Sequence, residues 1–113
     1  MGMVYYANYL VYFERGRTEW LREKGLTYKA LEERGVFLPV IECRCKYHAS
    51  ARYDDLITLR TRVSDTGSAS IEFSYEITRD GALLTSGTTR HPFVNRDFRL
   101  IRVPAEIRQA LEK

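Results

Sequence analysis

Two stretches of this sequence have residue types and spacings that chemistry can use. The first is Gly2-Met3-Val4-Tyr5-Tyr6-Ala7-Asn8-Tyr9, directly ahead of a helical pattern. The first N–H groups of a helix have no partner within it and stand at the positive end of its dipole. A carbonyl oxygen placed there is polarised, and an oxyanion is stabilised. Gly2 lets a substrate come close to the backbone. The plainer alternative is a loop-to-helix junction whose tyrosines pack in the core. The second stretch is defined by charge. Residues 1–89 carry twelve basic and twelve acidic side chains, whereas residues 90–113 carry six basic and three acidic, so the whole net charge of +3 sits at the C-terminal end. Arg90, Arg96, Arg99 and Arg102 offer planar forks to phosphate oxygens and suit a small phosphate-bearing ligand. A solvated strand end and helix face is the alternative.

Other chemistries are excluded quickly. Cys43 and Cys45 are two apart, too close for a good disulfide. With His48 and His91 they make no recognised zinc spacing, so we expect plain strand cysteines, a reducing compartment and no metal. Phosphate-loop, dinucleotide, Gly-x-Ser-x-Gly and paired-His patterns do not occur. Nucleic-acid binding would rest on Arg96, Arg99 and Arg102 without a recognition helix or a stacking platform, and it is not expected. No apolar run approaches 18 residues and no secretory leader opens the chain, so we expect no membrane partner and a cytoplasmic protein. A length of 113 residues, 44% of them hydrophobic, suits a single domain over 1–113.

The elements that must position these residues are legible from periodicity. Tyr6, Tyr9, Leu10, Phe13, Trp20 and Leu21 recur at helical spacing, and Lys24-Gly25 is a stop, which predicts a helix over about 7–24. Gly16 in its middle suggests a close approach to other backbone. A short helix should follow over about 27–34. After Gly35 the period becomes two. Phe37, Ile41, Cys43, Cys45 and Tyr47 form one alternating set, Ile57 to Val63 a second and Ala69 to Ile77 a third. Asp80-Gly81 marks a tight hairpin into a fourth strand near 83–93, and Pro104 opens a small C-terminal helix. The fold class is therefore α+β, a long helix wrapped by an antiparallel sheet. The open edges of so small a sheet argue for a homo-oligomer.

Gly2-x-Val4-x-x-x-x-Tyr9, continued by Phe13-Glu14 and Arg17-x-Glu19-x-Leu21, resembles the signature of hotdog-fold thioesterases of the 4-hydroxybenzoyl-CoA type, close to the Tol-Pal-associated acyl-CoA thioesterases. Tyr47 to Leu56 resembles that family's second block, with Ser50 where a Pro is usual. The resemblance implies a hotdog fold, subunits joined sheet to sheet as a homodimer or homotetramer, and hydrolysis of an acyl-CoA to coenzyme A and a carboxylic acid. It implies no cofactor beyond the substrate.

Residue by residue, the family's polarising amide maps onto Tyr6, with Gly2 and Val4 beside it. Its catalytic carboxylate, three residues before the glycine, would fall ahead of Met1, as would a first strand, so we expect a natural start some 15 to 20 residues upstream. A His of the Tol-Pal type is replaced by Tyr6. Glu14 is eight residues further on, roughly 12 Å along the helix, too far to serve the same carbonyl. We assign the acyl group to Tyr9, Phe13 and Tyr47, the pantetheine arm to Ser68 and Ser70, and the phosphates to Arg90, Arg96, Arg99 and Arg102. The competing reading is a non-catalytic acyl-CoA-binding or regulatory hotdog protein.

Overall fold

Helix α1 spans Tyr6–Glu23, within one residue of the expected bounds. Its 18 residues reach about 27 Å, enough to cross the sheet. It ends where the sequence signals a stop: Gly25 takes a positive φ of 78°, and the Leu26 N–H returns to the Leu21 carbonyl at 2.8 Å. Helix α2, Tyr28–Glu33, is capped by Thr27, whose hydroxyl accepts from the Ala30 N–H at 3.1 Å, and it closes at Gly35. The computed structural model describes residues 6–49 and 56–111, without the side chains of 6–8 and 111.

Four strands follow: β1 Glu42–Tyr47, β2 Thr58–Thr66, β3 Ser70–Arg79 and β4 Ala82–Pro92. They form one antiparallel sheet in the order β1-β4-β3-β2. The β3–β4 hairpin turns on Asp80 and Gly81, both at positive φ, as the Asp-Gly pair requires. A short helix α3, Ala105–Leu111, places Ile107 and Ala110 in the core, and an ion pair joins Arg34 to Glu106.

The first strand starts later than alternation predicts. Phe37 makes only an isolated bridge to Val94, and regular pairing begins at Glu42. Pro39 has no N–H to give a ladder, which accounts for the interruption. The inward side of β1 is also more open than expected, with Cys43 exposed and Tyr47 at 48% exposure, because an edge strand has cover on one side only.

One sheet face carries α1. Ile71, Phe73, Tyr75 and Ile77 of β3 pair with His91, Thr89, Gly87 and Thr85 of β4, and all but Gly87 are at most 2% exposed. The helix crosses the strands: Tyr9 meets Tyr47 on β1, Phe13 lies over Gly87 and stacks on Tyr75 at 4.3 Å, and Gly16 rests on Thr61 and Leu59 of β2. The opposite face is polar, with Arg90 between Asp65 at 3.4 Å and Glu72 at 3.5 Å. Asp65 reaches that face through a bulge at Ser64. The register passes from Val63 opposite Phe73 to Asp65 opposite Glu72, and the Ser64 hydroxyl donates to Glu72 Oε1 at 2.8 Å.

Candidate active site

Tyr6 is the first residue of α1, so its N–H belongs to the group that a helix leaves without an internal acceptor. The first turn carries no acidic side chain, so its positive end is not neutralised from within that turn. Gly2 and Val4 lie outside the described residues. Tyr9 is buried at the start of the helix, with its ring centroid 5.4 Å from that of Tyr47 and 6.1 Å from that of Tyr12. The structure thus brings Tyr9 and Tyr47 together one turn beyond Tyr6. Phe13, one turn further, is fully buried on Tyr75.

The positions assigned to the coenzyme are more dispersed. Ser70 opens β3, and the Ser68 carbonyl accepts from the Val103 N–H at 2.8 Å, which ties the C-terminal segment to the β2–β3 turn. Arg90 is held by Asp65 and Glu72. Arg96 lies over the end of α2 and donates to the carbonyls of Glu33 at 3.0 Å and Glu32 at 3.4 Å. Arg99 and Arg102 are exposed on the segment after β4. Arg90 and Arg96 therefore serve different elements. His48 meets Ser86 at 3.0 Å, on the sheet face away from α1.

A buried polar chain behind these aromatics is not foreshadowed in the sequence reading. Arg17, only 9% exposed, donates through Nη1 to the Tyr75 hydroxyl at 3.2 Å. Tyr75 Oη is 2.6 Å from Thr89 Oγ1, which is 2.8 Å from His91 Nε2, and His91 Nδ1 is 3.1 Å from the Leu38 carbonyl. A carbonyl can only accept, so Nδ1 carries the proton and Nε2 accepts from Thr89. The donors then run one way, from Arg17 through Tyr75, Thr89 and His91 to Leu38, and the chain closes only if His91 is neutral. Burial holds it so, pushing the imidazole down to about 4, while the Tyr75 phenol is pushed up to about 12, again by burial. The signal available in the sequence is the run of small or polar residues Thr85, Gly87, Thr89 and His91 on the inward parity of β4. Among the described residues no His, Cys, Asp and Glu cluster could hold a metal ion.

Comparison with known proteins agrees with this architecture. Residues 1–111 match the family model described as the thioesterase-like superfamily. An acyl-CoA thioesterase, YbgC, of Haemophilus influenzae is 33% identical over 96% of this chain and 82% of its own length. Among solved structures, a hypothetical protein from Thermus thermophilus superposes with a TM-score of 0.91 at 38% identity, covering 99% of this chain and 86% of that one. A DHNA-CoA thioesterase from Staphylococcus aureus gives 0.91 at 27% identity, covering 99% and 78%. With its long helix laid across an antiparallel sheet in the hotdog manner, the chain belongs to the thioesterase-like superfamily.

Proposed function

We infer that the protein hydrolyses acyl-CoA thioesters, releasing coenzyme A and a carboxylic acid. The observation that carries this reading is the 33% identity to an acyl-CoA thioesterase over nearly the whole chain. In the proposed mechanism the thioester carbonyl accepts from the Tyr6 N–H. Water attacks the carbonyl carbon, the tetrahedral oxyanion is held at the helix start, and the thiolate leaves. The base is a carboxylate in the register three residues before Gly2, ahead of Met1. The reaction calls for no metal or redox cofactor.

The acyl group lies against Tyr9 and Tyr47, with Phe13 behind them. Ser68 and Ser70 flank the pantetheine arm. The coenzyme phosphates go to Arg99 and Arg102, with Arg90 and Arg96 reached by exchange of their present partners. The open outer edge of β1 supports a homodimer joined sheet to sheet, or a homotetramer of such pairs, built from one domain over residues 1–113. A cytoplasmic location suits a substrate made inside the cell. No helix among the described residues is long and apolar enough to cross a membrane.

The test is thiol release from short, long and aromatic acyl-CoAs. The 113-residue chain is compared with one extended upstream through the expected carboxylate. Turnover by the extended chain, abolished by Asn at that carboxylate, is the expected result. Binding of acyl-CoA without hydrolysis by either chain would replace the reading with a non-catalytic acyl-CoA-binding protein.

A further inference from the structure

Among the described residues Arg17 is a buried cation with no buried carboxylate to pair with it. It is 9% exposed, it donates to the neutral phenol of Tyr75, the Tyr28 phenol stands near it, and its Nε is buried with no hydrogen-bond partner among the described residues. A guanidinium out of water is costly unless a carboxylate or an equivalent acceptor compensates it, and five donors in a fixed fork are ill served by neutral phenols. Arg17 also lines a cavity of about 400 Å³ between α1, α2 and the segment after α2. The other walls are Tyr28, Phe37, Leu38, Pro39 and Phe98, with Glu14 and Glu32 completing the lining. Phe98 is 72% exposed and is held there at a positive φ of 63° by a tight turn, in which Asn95 Oδ1 accepts from the N–H groups of Asp97 and Arg99. An aromatic residue in the left-handed region is an unusual element for a surface turn.

We propose that this cavity binds a monocarboxylate with an apolar or aromatic body, its carboxylate on the unengaged side of the Arg17 guanidinium and its body between Phe37, Leu38, Pro39 and Phe98. The volume suits a small ligand, and Phe37, Leu38, Pro39 and Phe98 give it an apolar side while Arg17 is the one cation of the lining, set against the carboxylates of Glu14 and Glu32 at its margin. Glu14 and Glu32 are exposed carboxylates. They oppose a dianion more than a monoanion, so inorganic phosphate is a poor ligand and a simple carboxylate a good one. The cavity is separate from the helix start. Arg17 is eleven residues beyond Tyr6, roughly 16 Å along α1. The inference stands whether or not the chain hydrolyses thioesters.

The experiment is a titration of the whole protein with benzoate and octanoate, followed by amide NMR and calorimetry, with benzamide and inorganic phosphate as controls. Benzoate is expected to give saturable shifts at Tyr28, Phe37, Leu38 and Phe98, and benzamide to bind at least about tenfold more weakly for want of the charge-assisted bonds. Arg17→Met should abolish the difference between the two. Because that substitution also breaks the Tyr75 bond, two exposed positions give independent readings. Glu32→Gln should tighten benzoate by about two- to fivefold through loss of repulsion, and Phe98→Ala should weaken it. Equal binding of benzoate and benzamide, shifts centred on Tyr9 and Tyr47 instead, or no response to Glu32→Gln and Phe98→Ala would each overturn the proposal.

Discussion

Phe13 occupies the space that a side chain on Gly87 would need. A Cβ at position 87 would stand 2.5 Å from Phe13 Cε2 and 2.6 Å from the Arg44 carbonyl oxygen. The missing side chain in the middle of β4 is what lets α1 settle onto the sheet and carry its N-terminus to β1. Gly87→Ala should lower stability by about 1 to 3 kcal/mol, read as a denaturant midpoint. Adding Phe13→Leu should recover only part of that, because the Arg44 carbonyl is backbone and cannot move aside.

Gly16 answers differently, because its obstacle is a side chain. A Cβ there would collide with Thr61 Oγ1, a buried hydroxyl with no hydrogen-bond partner. Gly16→Ala alone should destabilise. In a Thr61→Ala background the same change should gain up to about 1 kcal/mol from helix propensity, a reversal of sign that a double-mutant cycle measures.

His91 makes stability depend on pH in the mildly acidic range. Its folded pKa, about 4, is below the ordinary 6.5, so the unfolded chain binds the proton more tightly. The stabilisation is therefore complete above about pH 6.5 and is lost as pH falls toward 4, amounting to about 3 kcal/mol across that window. Thermal melts between pH 7 and pH 4 should show the loss. His91→Gln should be less stable at pH 7 but flatter with pH.

Tyr75→Phe removes the middle of the buried donor chain. It leaves Arg17 Nη1 and Thr89 Oγ1 each short of a partner, and it should cost about 1 to 3 kcal/mol in chemical unfolding. Phe retains the stacking on Phe13, so the loss reports the hydroxyl alone.

Tyr6→Pro tests the amide at the helix start. Proline is tolerated at the first helical position and removes the N–H together with the Tyr6 ring, so helix content should be unchanged in circular dichroism and Tyr6→Ala, which loses the ring but keeps the N–H, is the control. If the Tyr6 N–H holds the oxyanion, kcat for acyl-CoA hydrolysis by the active chain should fall by about 10² to 10³.

Much of the frame is legible in the sequence because it follows from local rules. The apolar spacing of α1, the period-two strands and the Asp80-Gly81 hairpin each depend on a few neighbouring residues. Helix-end physics likewise marks Tyr6 without any tertiary knowledge. What is not legible depends on strand order. β1 lies beside β4, not beside β2, and that adjacency aligns Cys43 with Thr89 and Tyr47 with Thr85. Only the assembled sheet puts Arg17, Tyr75, Thr89 and His91 in one line. In the sequence Arg17 is one more charge on a charged helix, and its burial is set by the strand it faces. The arginines after residue 89 show the converse. They cluster in sequence, yet Arg90 and Arg96 are drawn to different elements by Glu72 and the end of α2.

The bulge at Ser64 acts as a switch of parity. Upstream of it the odd-numbered residues of β2 face the helix; beyond it Asp65 faces outward beside Glu72, and Thr66 takes the inward place opposite Ile71. By leaving Ser64 out of the ladder the bulge keeps a carboxylate away from a core position without altering the composition of the strand. A chain shortened by Ser64 would run straight, with Val63 opposite Phe73 and Asp65 still opposite Glu72, whereas a chain that kept Ser64 but paired it in the ladder would put Asp65 opposite Ile71 on the helix side. The orientation of the Arg90 ion pairs is in that sense stored in the one place where β2 leaves a residue out of the ladder, where no single side chain encodes it.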